Sequence, residues 1–133
     1  MSAAPERIDL DAPLAEAFQP VVRLIIGGIA ERVDFGFEEI DDLQLAVERL
    51  LAEAGSTGTV HLAFEVGEEA IRTRVGPLDE GALTEALRDG DGESPLTRFT
   101  LRRVLQTVVD SFGVESLGED RIVMRLDKRK RWT

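Results

Sequence analysis

Ile40-Asp-Asp-Leu-Gln-Leu-Ala-Val-Glu-Arg-Leu-Leu-Ala-Glu-Ala54 decides the reading of this chain, because its apolar residues have a helical period. Ile40, Leu43, Val47, Leu50, Leu51 and Ala54 recur three and four positions apart, which puts them in one stripe. Glu38, Glu39, Asp41 and Asp42 crowd the start, where negative charge favours the positive end of the helix dipole, and Gly55 supplies a stop. A helix with one apolar stripe must bury it against something, so the flanking segments are read for a sheet or a second helix.

Upstream, Arg7 to Asp11 alternates around Ile8 and Leu10 and reads as a short strand, followed by Pro13 at a helix-start position. Leu14, Phe18, Val21, Val22, Ile25 and Ile29 then predict a long first helix reaching about Val33 and kinked at Pro20. Its Gly27-Gly28 pair, costly in a helix, points to close packing there. Downstream, Val60, Leu62, Phe64 and Val66 alternate, Gly67-Glu-Glu69 makes a turn, and Ile71, Thr73 and Val75 alternate again, which predicts a β-hairpin. A short helix over Leu78 to Arg88, a mobile loop over Asp89 to Pro95, a helix from about Leu96 to Ser111 and two closing strands around Gly118 complete the order. Helices and strands are partly segregated, so the expected fold class is a two-layer α+β sandwich with helices on one sheet face.

Composition narrows the function. At 133 residues, with 43% hydrophobic and 32% charged residues, the chain suits one soluble domain over 1–133. The absence of cysteine excludes disulfides, thiolate nucleophiles and Cys-ligated zinc and suits the cytoplasm, and the single histidine, His61, cannot build a metal cluster. His61 alternates with the apolar residues of its strand and so faces away from them. No basic segment followed by an apolar run opens the chain, and the apolar stretch near Val21 to Ala30 is too short to span a bilayer. A net charge of -10 repels nucleic acid, and the basic Lys128-Arg-Lys-Arg131 tail is read as a solubilising end. Trp132 is read as a frayed terminal residue.

Val22-Arg-Leu-Ile-Ile-Gly-Gly-Ile-Ala30, Ile40-Asp-Asp-Leu-Gln-Leu-Ala-Val47 and Leu105-Gln-Thr-Val-Val-Asp110, taken with the element order, resemble the anti-sigma-factor serine kinases, bacterial members of the GHKL ATPase superfamily. The resemblance implies a GHKL (Bergerat-like) mixed sheet, a homodimer, and a sigma factor or STAS-type anti-anti-sigma protein as partner. It also implies where ATP and magnesium would be held. The family's acidic residue and the asparagine four positions later fall on Arg49 and Glu53. A guanidinium stays protonated and cannot act as a base, and a carboxylate adds negative charge beside a triphosphate. Shifting by one residue offers Glu48, whose partner four on is Ala52. The family's Asp-x-Gly-x-Gly turn, aligned through Gly76-Pro77, puts Arg74 in place of the adenine-binding aspartate and Leu78 in place of the second glycine. Asp79 and Gly81 lie nearby as an isolated Asp-x-Gly. The glycine-rich lid would fall on Gly90-Asp-Gly92 and Ser94 to Thr97, beside Asp89, Asp91 and Glu93, whose carboxylates repel phosphate.

Arg49, Glu53, Arg74 and Gly76 are therefore read as degenerate nucleotide positions, with no catalytic residue, no metal ligand and no cofactor expected. Arg98, Arg102 and Arg103 are candidate partner contacts. Three functions compete: an anti-sigma-factor-like binder without ATP turnover, an active serine kinase acting on a STAS-domain antagonist, and an unrelated α+β interaction module.

Overall fold

A computed structural model describes residues 5–55, 57–88 and 100–131. Five strands, β1 (Glu6–Pro13), β2 (Thr59–Val66), β3 (Ala70–Asp79), β4 (Ser111–Gly118) and β5 (Arg121–Arg129), form one sheet in the order β1-β2-β3-β5-β4. All four pairings are antiparallel, so the two-layer α+β expectation is met with an antiparallel sheet rather than a mixed one. Among the described residues there are four α-helices, α1 (Gln19–Glu31), α2 (Phe37–Ala54), α3 (Glu80–Leu87) and α4 (Leu101–Val108).

The first helix differs from its sequence reading. Chain between Pro13 and Gln19 passes through a short 3-10 turn, Glu16–Phe18, and Pro20 stands in the first turn of α1. There its missing N–H is one the helix would leave unpaired anyway, so proline starts the helix instead of kinking it. The helix α2 begins after an extended Gly36 and ends at Gly55, whose φ of 98° is readily adopted by glycine. The expected mobile loop, the lid residues, Arg98, Trp132 and the first residues of the helix expected from Leu96 lie outside the described residues.

Packing follows the two periods. Leu43, Ala46, Val47 and Leu50 of α2 are fully buried against Ile26 and Ala30 of α1 and against Leu62, Phe64, Ile71, Val75, Met124 and Leu126 of the sheet, in one apolar cluster. Each large side chain buried in this way contributes about 1.5–3 kcal/mol relative to exposure. Gly27 is in close contact, since a Cβ there would stand 3.4 Å from Gln44 Nε2, but Gly28 faces open space. Close packing therefore accounts for one glycine of the pair.

The other face of the sheet is built from ions. His61 Nδ1 and Nε2 lie 2.7 and 2.8 Å from carboxylate oxygens of Asp11 and Asp9. Arg74 donates to Glu65 and, at 2.8 Å, to Glu115, while Arg72 and Arg125 both donate to Asp127 at 2.6 and 3.0 Å. These groups alternate along their strands with the core residues, so sheet parity alone sorts charge from hydrocarbon.

Candidate functional site

At the end of the sheet where β3 runs into α3, a cavity of about 470 Å³ lies between α2, the chain before β2, and α3. The C-terminal turn of α2 supplies Leu50, Glu53 and Ala54, the approach to β2 supplies Thr57, Gly58 and Thr59, and the end of β3 with α3 supplies Pro77, Leu78, Asp79, Ala82 and Leu83. Leu14 and Arg121 complete the wall. The floor is apolar, with Leu50, Leu78 and Leu83 buried, and the rim is polar. A concave apolar site with a few convergent polar groups is the usual form of a small-molecule pocket.

Two carboxylates reach this cavity from different elements. Glu53 is exposed on the last turn of α2. Asp79 ends β3 and caps α3, its Oδ2 accepting the Ala82 N–H at 2.8 Å. Arg121 contributes the cationic side chain of the wall. No cluster of three or more metal-ligating side chains exists among the described residues.

The candidate residues separate as follows. Glu53 is in the cavity wall, whereas Arg49 is half-buried on α2 and does not line it. Glu48 is bound to Arg23 at 2.6 Å, on the side of α2 that faces α1. Arg74 is on the ionic face of the sheet, held by Glu65 and Glu115, and lines no part of the cavity. At Gly76-Pro77 β3 does not turn but passes through a register shift between Val75 and Leu78 and continues to Asp79. Asp79, with Gly81 two residues later, is the carboxylate that the fold delivers to the cavity, and Leu83 stands where the motif's second glycine would follow. Gly76 serves packing, since a Cβ there would come within 2.9 Å of the Ile122 carbonyl oxygen and of Val123 Cγ2. Arg102 and Arg103 are exposed on α4, Arg102 donating weakly to the Leu87 carbonyl at 3.4 Å.

The basic tail also needs correction. Lys128 is buried, its Nζ donating to Asp42 Oδ2 at 3.1 Å and to the Val108 carbonyl at 2.8 Å, and Arg131 lies 4.0 Å from the same carboxylate. Strand parity was the signal for this: Lys128 follows Ile122, Met124 and Leu126 at a spacing of two.

No protein-family model matches the chain. The serine-protein kinase RsbW of Halalkalibacterium halodurans is 32% identical over 101 residues, 69% of this chain and 62% of that protein. RsbW of Listeria innocua is 29% identical over 126 residues, 95% of this chain and 71% of that protein. The chain is a relative of the RsbW serine-protein kinases. It spans 62% and 58% of the length of the RsbW proteins of H. halodurans and Oceanobacillus iheyensis. The expected kinship with the anti-sigma-factor serine kinases of the GHKL type is thereby met. No helix among the described residues is long and apolar enough to cross a membrane.

Proposed function

We propose that this chain is an anti-sigma-factor-like regulator that works by protein contact, holding a sigma factor or a STAS-type anti-anti-sigma protein without turning over ATP. The observation that carries this reading is the exposed apolar surface of the first two helices. Phe18, the residue before α1, and Val21 and Leu24 within it recur every three residues, with Leu24 77% exposed, and Phe37 at the first position of α2 is 95% exposed. Scattered single leucines need no explanation, but a stripe of this kind on one helix with an uncovered phenylalanine opening the next marks a protein-binding surface. The surrounding charge is acidic, with Glu38 exposed on α2 and Asp41 and Glu48 sharing the single guanidinium of Arg23, which favours a basic partner and speeds its encounter.

The absence of turnover is supported by the chemistry of α2. Phosphoryl transfer needs a held metal, stabilisation of developing charge and a base or positioned nucleophile. Arg49 stands where the family carries its acid, Glu53 replaces an amide with a second negative charge, and Glu48 is engaged by Arg23. One observation favours the kinase reading instead: Asp79 and Glu53 share the wall of a cavity of ligand size. Calorimetric titration with magnesium and ATP, followed by a phosphotransfer assay with a STAS-domain protein, separates the two. Binding to the sigma factor by co-elution, lost in Leu24→Asp and Phe37→Asp, with no phosphotransfer, is the expected result. Phosphorylation of the STAS protein at a serine would overturn the claim of no turnover.

A further inference from the structure

The cavity between α2, β3 and α3 holds a pair of opposite charges that does not close. Asp79 and Arg121 stand directly across from each other in the register of β3 and β5, and both line the cavity. Their backbones are tied together at this point, since the Glu80 N–H donates to the Asp120 carbonyl at 2.9 Å. Opposite charges at facing positions of a sheet attract and ordinarily pair. Here the Asp79 carboxylate turns to α3, its Oδ2 accepting the Ala82 N–H at 2.8 Å, and the Arg121 guanidinium has no ion pair or hydrogen bond among the described residues. The Glu53 carboxylate, arriving at the same cavity from α2, is likewise without a partner among the described residues.

We propose that this cavity binds a small apolar zwitterion of dipeptide size, its ammonium received by Asp79 and Glu53 and its carboxylate by Arg121. The sign of the wall selects the charges of the ligand. A triphosphate would face two carboxylates with one guanidinium to receive it, whereas a zwitterion offers each sign its complement. Hydrogen-bond capacity agrees: an ammonium carries three donors, enough for two carboxylates, and a carboxylate matches the planar fork of a guanidinium. The floor selects the body. Leu50, Leu78 and Leu83 are buried there and reward hydrocarbon side chains. A volume of about 470 Å³ lies within the range of small-ligand pockets and admits two aliphatic residues. The charged groups of the wall are exposed, so each contributes little and the affinity is modest, with dissociation at about 0.1–1 mM. The cavity takes the last turn of α2, while the proposed partner surface includes Phe37 at its first position, so this site does not depend on that reading.

NMR titration of the isotope-labelled full chain with leucyl-leucine tests the proposal. The expected result is saturable movement of the Gly58, Asp79, Ala82 and Arg121 amide signals. N-acetyl-leucyl-leucine, which lacks the ammonium, should bind about fivefold more weakly or not at all, and leucyl-leucine amide, which lacks the carboxylate, should also bind more weakly. Arg121→Gln should abolish the preference for the free carboxylate over the amide. Asp79→Asn, which still caps α3, and Glu53→Gln should each weaken both the dipeptide and its amide. All three side chains are exposed, and the spectrum of each variant reports whether it is folded. The proposal is overturned by the absence of saturable movement, by equal binding of the acetylated dipeptide, or by a carboxylate preference that survives Arg121→Gln. Movement of the same signals by magnesium and ATP at lower concentration than by leucyl-leucine would overturn it as well. Neither a sigma factor nor a STAS protein enters the experiment, so its failure leaves the proposed function standing.

Discussion

Lys128 is the most consequential charged residue of the core, and the effect of removing its contacts can be ordered in advance. Its side chain is 2% exposed, it reaches Asp42 on α2 and the carbonyl of Val108, and Val108 is the last residue of α4. The ammonium thus ties the C-terminus of α4, where carbonyls lack helical partners, to the first half of α2. Asp42 is 24% exposed in its side chain, so it keeps access to water, and Arg131 stands 4.0 Å away as a substitute partner. In Lys128→Met the stem stays packed and the loss is chiefly the donor to the Val108 carbonyl, which costs about 1–2 kcal/mol. Asp42→Ala leaves the ammonium buried with one carbonyl, and removing one partner of such a pair costs about 3–5 kcal/mol. The expected order is therefore Asp42→Ala well below Lys128→Met in stability, with the double variant recovering much of the Asp42→Ala loss, because no buried charge then remains. Urea unfolding at neutral pH, followed by circular dichroism, measures all three. Asp42→Ala within about 0.5 kcal/mol of wild type, or strict additivity in the double variant, would refute the reasoning, since typical surface substitutions fall in that range.

Three further outcomes are expected. Hydrogen bonds that the His61 ring donates to Asp11 and then to Asp9 raise its pKa above the ordinary value of 6.5. The stability it contributes is full below the unfolded-state pKa and is lost as pH rises through the higher folded value; urea midpoints should fall across this range in wild type and fall less in His61→Gln. Gly76→Ala forces a methyl group against the Ile122 carbonyl and should destabilise by about 1–3 kcal/mol, which thermal unfolding would register as a lowered Tm. Arg49→Glu with Glu53→Asn restores the residue types of the family's acid and asparagine on one helix face, and calorimetry should then detect magnesium-dependent ATP binding tighter than that of the wild type. Equal binding before and after the change would mean that α2 is not what limits nucleotide affinity.

Much of the fold was legible because two periods recur without interruption. The stripe of α2 and the alternation of β2 and β5 each predict which side chains are buried, and the same parity predicts that His61 faces away from the core. Local chemistry misled where tertiary geometry decided. Pro20 reads as a kink within an apolar stripe, but the chain enters α1 only one residue earlier, a boundary set by how β1 hands over to the helix layer. Gly76-Pro77 reads as a turn, yet β3 passes through the pair with a shifted register, so Arg74 stays on the ionic face and Asp79, five residues on, reaches the cavity wall. Arg121, Leu14 and Thr59 carry no motif, and only folding brings them beside Glu53. Lys128 was hidden within a run of basic residues whose net charge masked the strand period.

The ionic face of the sheet has an electrical consequence. Its arginines and carboxylates cancel one another locally, so the surplus negative charge of the chain is displaced toward the helical layer, where Glu38 and Glu53 stand exposed on α2 and Asp41 and Glu48 share the single guanidinium of Arg23. The molecule is thus polarised across its thickness. A positively charged partner diffusing past experiences a torque before it makes contact, arrives facing the helices, and loses that guidance as added salt shortens the reach of the field.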